Sequence, residues 1–234
     1  MTDTQLIYGD SRDVSWDLVL PGTINCILTD PPYGVDYVSR RGQTADADKL
    51  ARSIDADGDL GGAIAVFAET MDQLGPHLGP EVELYVFTRW DIIAEWTEAI
   101  RDLNHWGFVY KMMLIWDKQA LAMGDIDASW GPSYEPILYA KRGRRDLNHQ
   151  RSSVLSFDRV PPKQRIHSTE KPVALLEELL KVSTNTDDIV VDPFAGSGST
   201  IEAANNLARL GFGAERDEER FALTSQRLQR AVLF

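Results

Sequence analysis

Short apolar runs punctuated by Gly, Pro, Asp or Asn alternate along the chain with longer stretches of helical period, and this alternation restricts the fold more than any other feature. The runs Gln5–Tyr8, Cys26–Thr29, Leu84–Thr88, Lys111–Trp116, Pro136–Ala140, Ile189–Val191 and Gly211–Ala214 read as buried strands. Gly62–Leu74, Ile92–Leu103, Val173–Val182, Ser199–Leu207 and Glu218–Val232 read as helices. Pro172 stands at the start of the third, where its missing N–H does no harm. Strands alternating with helices predict an α/β fold, with about seven strands in one mostly parallel sheet and helices on both faces. A length of 234 residues and 43% apolar composition fit a single domain over 1–234 with a sizeable core. No apolar run approaches the roughly 18 residues of a membrane span. The N-terminus, MTDTQLIYGD, has neither a basic n-region nor an apolar h-region, and the lone Cys26 excludes an internal disulfide and a cysteine-based metal site. A cytoplasmic protein without a membrane partner is the expectation.

Two local patterns carry chemistry. The first is Thr29-Asp30-Pro31-Pro32-Tyr33-Gly34, directly after the apolar run Ile24–Leu28. Two prolines, each with fixed φ and no N–H, make a rigid corner at the end of a strand. The Asp30 carboxylate and the Pro31 carbonyl can point at one spot as two acceptors, with the flat face of Tyr33 beside them. That suits the exocyclic amine of a planar base. The structural alternative is a plain strand-ending turn.

The second is Asp192-Pro193-Phe194-Ala195-Gly196-Ser197-Gly198-Ser199-Thr200, which follows a strand and opens a helix. Its glycines allow a tight turn and close approach of a ligand to the backbone. Glu215 follows at the end of the next strand. Strand, glycine turn, helix, strand and acid is a layout for binding a nucleoside, the acid taking ribose hydroxyls. A dinucleotide site would want a third glycine where this chain has Ile201.

Together these residues resemble an amino-group DNA methyltransferase that uses S-adenosylmethionine. In that family an Asp-Pro-Pro-Tyr motif catalyses and a Phe-x-Gly-x-Gly motif binds the cofactor. Here the catalytic motif comes first, which resembles the permuted β class of adenine-specific enzymes. The resemblance implies a Rossmann-like class I methyltransferase fold, with a catalytic half over 1–140 and a cofactor half over 167–234. Asp30, Pro31, Pro32 and Tyr33 are then the catalytic residues. Asp192, Pro193, Phe194, Ala195, Gly196, Ser197, Gly198 and Glu215 are the implied cofactor residues. Tyr8-Gly9-Asp10-Ser11 resembles the segment whose Asp contacts the cofactor's adenine, and Tyr134–Tyr139 resembles the strand before the recognition region. His167-Ser168-Thr169-Glu170-Lys171-Pro172 resembles the family's His-Pro-Thr-Gln-Lys-Pro, departing at Ser168 and Glu170; it implies cofactor contacts from Thr169 and Lys171. Trp116, Trp130 and Tyr134 read as core or cleft-wall aromatics.

The implied substrate is double-stranded DNA, yet the chain has 36 acids against 24 bases, a net charge of −12. The charge is unevenly spread. Between Lys141 and Lys171 nine Lys/Arg face three acids, a net +6 that leaves −18 elsewhere. This stretch lies where the family inserts its target-recognition region, so 141–166 is expected to be a short DNA-recognition segment. Arg142, Arg144, Arg145 and Arg151 are its candidate DNA contacts, and Arg40 and Arg41 candidate clamps on a flipped strand. A solvated charged loop is the alternative. Asp outnumbers Glu 23 to 13 and Arg outnumbers Lys 17 to 7; this balance suits a high-salt habitat as well as a mildly acidic mesophilic protein. A second copy of the chain and a cognate restriction enzyme are the candidate protein partners.

The expected reaction is methyl transfer to the amine of adenine in DNA after base flipping. Cytosine amino-methylation on the same fold is the nearest alternative, with Ser at position 30 its commoner mark. An RNA methyltransferase, a catalytically silent binding module and a nicotinamide dehydrogenase fit the motifs less well.

Overall fold

The computed structural model describes residues 5–33, 59–120, 130–161 and 170–231. In chain order the elements are β1 (Gln5–Tyr8), β2 (Ile24–Thr29), α1 (Leu60–Leu74), β3 (Leu78–Phe87), α2 (Ile93–Asp102), β4 (Phe108–Asp117), β5 (Tyr134–Arg142), β6 (Val154–Ser156), α3 (Val173–Ser183), β7 (Ile189–Asp192), α4 (Ser199–Asn206), β8 (Leu210–Glu215) and α5 (Glu218–Ala231). The strands form one sheet in the order β1-β8-β7-β2-β3-β5-β4-β6. Only β5 runs antiparallel to its neighbours β3 and β4. The mostly parallel α/β sheet is as expected, with eight strands in place of about seven.

Period-two alternation puts an apolar side chain on each face of the central strands. On one face Ile27, Leu84, Val86, Leu138, Ala140 and Val191 pack under Phe67 and Met71 of α1 and Trp96 and Ile100 of α2. On the other, Cys26, Leu28, Tyr85, Phe87, Ile137, Tyr139 and Val190 pack under Leu175, Leu176, Leu179 and Leu180 of α3 and Ala203 and Ala204 of α4. Helix α1 starts two residues earlier than its apolar period suggests. The Asp59 carboxylate caps it by accepting from the amides of Gly61 and Gly62, both at 3.1 Å. Phe67 meets Trp96 edge-on, 5.3 Å between centroids.

The differences from the sequence reading have local causes. β3 begins at Leu78, through Gly79 and Pro80, because Ile24 of β2 pairs with Leu78 before the register slips by a bulge. Glycine and proline read as a break but occupy the irregular start of that ladder. β6 is three residues long, too short to show a period, and is defined by its pairing with Ile115–Asp117 of β4.

The sheet's C-terminal end gathers the chemistry-bearing loops, as open parallel sheets do. β2 and β7 are neighbours, with Ile27 opposite Val191, so Asp30 and Asp192 leave the sheet side by side. β8 lies beyond β7, with Gly213 opposite Asp192. A Cβ added at Gly213 would sit 2.8 Å from both the Asp192 carbonyl oxygen and Ile201 Cδ1. Gly213→Ala is therefore expected to destabilise the protein by about 1–3 kcal/mol, read as a Tm several degrees lower by calorimetry. An unchanged Tm would mean that the turn after β7 is less tightly packed than described.

Candidate active site

Asp30 follows the last residue of β2, and its carboxylate is fully engaged. The Tyr33 hydroxyl donates to Asp30 Oδ1, and the Lys171 ammonium lies 2.5 Å from Asp30 Oδ2. Lys171 also reaches Glu135 Oε1 at 2.8 Å, and Lys118 holds Glu135 Oε2 at 2.7 Å. Four elements converge here: the corner after β2, the residue after β4, the second residue of β5 and the segment before α3. Lys171 Nζ also stands 4.9 Å from the Phe87 ring, and Lys118 Nζ 5.0 Å from the ring of Trp116.

Burial governs the electrostatics of this cluster. It pushes the Asp30 carboxyl above its ordinary range, while the Lys171 charge pulls the other way. Burial would depress the Lys171 ammonium, but Asp30 and Glu135 more than offset it and hold it above the usual lysine range. For Glu135, burial is outweighed by Lys171 and Lys118, and the carboxyl lies below its usual value. Two carboxylates against two ammonium groups make the cluster neutral, the condition for keeping such charges buried. Burial, with Asp30 and Glu135 adding to it, raises the Tyr33 phenol.

The glycine turn after β7 is bound to the same corner. Thr29 donates to Asp192 Oδ1 at 2.7 Å, and the Phe194 amide reaches that oxygen at 3.2 Å. Pro193 is buried. Ala195 and Ser197 are buried in the turn, the former against Ile201 and Leu228, the latter through a 2.9 Å contact with the Ser199 hydroxyl. Gly196 and Gly198 take φ of +50° and +75°, where L side chains are strained. A Cβ at Gly196 would meet nothing nearer than the Phe194 carbonyl oxygen at 3.8 Å, so the backbone there can be approached closely. Glu215, at the end of β8, accepts from the Gly196 amide at 2.9 Å and the Asp217 amide at 2.8 Å. Its carboxyl is raised by burial. Asp10 lies just past β1, where the Gly9 amide donates to the Glu215 carbonyl. Arg12 clamps both Asp10 oxygens at 2.9 Å.

The structure thus brings together Asp30–Tyr33, Asp192–Gly198, Glu215 and Asp10 at one end of the sheet. Lys171, expected as a cofactor contact, joins them with its ammonium against Asp30. Glu135 and Lys118 were missed as site residues. Glu135 stood inside the strand resemblance, and an acid directly before the buried run Pro136–Ala140 was the available signal. Thr169, Arg40 and Arg41 lie outside the described residues.

The candidate DNA contacts in 141–166 are not brought to this end. Arg142 closes β5 opposite Val82, whereas Thr29 pairs with Val86; four residues of strand put Arg142 about 13 Å down the sheet. Arg145 is held to Asp188, before β7, at 2.6 Å. Arg151 pairs with Glu178 of α3, and Asn148 donates to the Lys181 carbonyl at 3.0 Å and the Thr184 carbonyl at 2.8 Å. Arg144 is exposed at the same far end. Through Arg145, Asn148 and Arg151 the basic stretch straps the sheet to α3 and to the segment before β7, at the end opposite Asp30. Among the aromatics, Trp116 is buried, donating to the Phe157 carbonyl at 2.8 Å. Trp130, by contrast, is 97% exposed and is no part of a core.

Asp192 yields a test. Burial, opposed by the Thr29 and Thr200 hydroxyls, pushes its carboxyl up to about 6 from an ordinary 3.8. The folded state then holds the proton more tightly than the unfolded chain. This group's contribution to stability is full below about pH 4 and is lost as pH rises through about 6. Relative to Asp192→Asn, the wild type should lose roughly 2–3 kcal/mol between pH 4 and pH 7, measured by urea unfolding at both values. A gap independent of pH would contradict the assignment.

Comparison with known proteins places these features in a family. A family model described as DNA methylase matches residues 24–226. The protein called YubD from Escherichia coli (strain K12) is 30% identical, over 98% of this chain and 93% of its own length. The DNA adenine methyltransferase YhdJ of the same bacterium is 32% identical, over 58% of this chain and 50% of its own. Among solved structures, the M1.HpyAVI–SAM complex superposes with a TM-score of 0.69 at 22% identity, covering 96% of this chain and 98% of that one. The cytosine-N4-specific PvuII DNA methyltransferase gives 0.70 at 15% identity, covering 96% and 86%. These two likenesses bear on the fold alone.

Proposed function

The chain belongs to the DNA methylase family, and from that premise we propose that it transfers a methyl group from S-adenosylmethionine to the exocyclic amine of adenine in double-stranded DNA. The observation that carries this reading is the adjacency of Asp30 and the glycine turn, fastened by the 2.7 Å bond from Thr29 to Asp192. A methyl acceptor at one strand end and a methyl donor at the next are then within reach of each other.

The residues around the turn fit that cofactor. The approachable backbone at Gly196 and the buried Glu215 carboxylate suit a nucleoside with ribose hydroxyls, and Asp10 beside β1 offers a further acceptor. Phe194 through Gly198 would hold the cofactor from one side and Glu215 from the other. When bound, it supplies an activated methyl group on a positively charged sulfur.

The chain's own residues do the rest. The target amine lies inside the duplex, so the base is flipped out of the stack to the Asp30 corner. Asp30 and the Pro31 carbonyl accept its two hydrogens, Pro32 stiffens the corner, and the Tyr33 ring covers the base. As positive charge grows on the amine nitrogen, the Asp30 carboxylate stabilises it. Arg40 and Arg41 follow Tyr33 by seven and eight residues in sequence and are the proposed clamps on the flipped strand.

Adenine is favoured by Asp at position 30, and a relative named as a DNA adenine methyltransferase supports it. Cytosine amino-methylation on the same fold is the second reading. DNA incubated with isotope-labelled S-adenosylmethionine and digested to nucleosides should contain labelled N6-methyladenine. Labelled N4-methylcytosine would establish the second reading, and label in neither would overturn both. Glu215→Gln should weaken cofactor binding by about 10–100-fold in calorimetric titration, the size of a lost charge-assisted hydrogen bond pair; unchanged affinity would remove Glu215 from the cofactor site.

A further inference from the structure

We propose that Glu135 and Lys118 are positioning residues for the methyl-transfer reaction: with the buried Lys171 they form a half-buried relay, Lys118–Glu135–Lys171–Asp30, that fixes the orientation and charge of the Asp30 carboxylate. The inference rests on the reading of Asp30 as the group that receives the amine. Neither Glu135 nor Lys118 touches Asp30. They act through Lys171, which Glu135 holds at 2.8 Å while Lys171 holds Asp30 Oδ2 at 2.5 Å.

The geometry assigns the two Asp30 oxygens different duties. Oδ2 is committed to Lys171, an ammonium pinned from behind by Glu135 and from the side by the Phe87 ring. Among the described residues, Oδ1 is held by the Tyr33 hydroxyl alone. That hydroxyl has a second acceptor within reach, Glu135 Oε1 at 3.4 Å. When an amine arrives, Tyr33 can pass its hydroxyl to Glu135 and leave Oδ1 to the amine, with no buried donor stranded. Lys118, on the other Glu135 oxygen at 2.7 Å, keeps Glu135 charged while it serves both neighbours.

Among the described residues, the charged or titratable groups facing Asp30 are Tyr33 from its own segment, Lys171 before α3 and Glu135 of β5, with Asp192 of β7 behind Thr29. Lys118 stands behind Glu135. The relay therefore makes predictions of opposite sign. Removing the Lys171 charge should make Asp30 harder to ionise. Removing Glu135 takes a negative neighbour away and should make it easier. Removing Lys118 leaves Glu135 less compensated and should act like the loss of Lys171, but more weakly.

The test is a carbon NMR titration of carboxyl-labelled protein, following Asp30 in the full chain, paired with the acid limb of kcat for DNA methylation. Lys171→Met should move the Asp30 titration to higher pH, Lys118→Met should do so by less, and Glu135→Gln should move it to lower pH. The acid limbs of kcat should follow in the same order, so that at pH 6 Lys171→Met retains a smaller share of its own maximum than the wild type and Glu135→Gln a larger one. The double variant Lys171→Met/Glu135→Gln removes one charge of each sign and guards against a single variant that fails to fold; its titration should return towards that of the wild type. Shifts that are absent, or of one sign in all three single variants, would overturn the relay. Shifts in the titration that the kinetic limbs do not follow would instead overturn Asp30 as the amine acceptor. Residues serving stability alone would lower activity at every pH and leave the limb in place.

Discussion

The parallel pairing of β2 with β7 is the constraint on which the rest of the site depends. It joins two segments 163 residues apart in sequence, Thr29 and Asp192, through one buried hydrogen bond of 2.7 Å. A parallel pair cannot be closed by a tight turn, so the chain must travel far before it returns. Here the intervening chain builds β3 to β6 and three helices, and β8 then stacks outside β7. The result is that the Pro-Pro corner and the glycine turn leave adjacent strands at the same end. Neither loop would have a neighbour if the register slipped.

The second requirement is electrostatic. Burying a carboxylate beside a cleft raises its pKa and makes it a poor acceptor for a developing positive charge. Lys171 meets this at Asp30, Glu135 meets the cost of burying Lys171, and Lys118 that of burying Glu135. Each charge in the cluster has an opposite neighbour, drawn from a different element. The site is therefore sensitive to the packing of β4, β5 and α3 together, well beyond the four residues of the corner. A similar economy holds on the cofactor side, where Arg227 of α5 reaches Glu170 at 2.8 Å and the Ser197 carbonyl at 3.2 Å. Glu170, a departure from the family's glutamine, thereby acquires a cationic partner beside the glycine turn.

The elements that were legible from sequence are those with a long enough period or a firm boundary. The α/β class, the five helices and seven of the strands followed from apolar spacing and from Gly, Pro and Asp at the edges. β6 did not, because three residues have no period and its pairing with β4 is a tertiary fact. Asp30–Tyr33, the glycine turn and Glu215 were legible because each motif is local. Glu135 and Lys118 were not, since their importance comes from facing Lys171 across three elements. Net charge alone did not show where the basic stretch lies: clustered arginines suggested a surface for DNA, whereas Arg145 and Arg151 pair with Asp188 and Glu178. Counting charges along the chain cannot reveal which of them already have partners in the fold.

The central claim is that the negative charge of Asp30, more than the shape of its side chain, carries the chemistry at the β2–β7 junction. Asp30→Asn keeps the shape and removes the charge. Single-turnover methyl transfer to DNA, measured beside equilibrium binding of S-adenosylmethionine, tests it most directly. The account predicts cofactor affinity within about threefold of wild type and transfer slowed by about 100-fold or more. Transfer near the wild-type rate would contradict it.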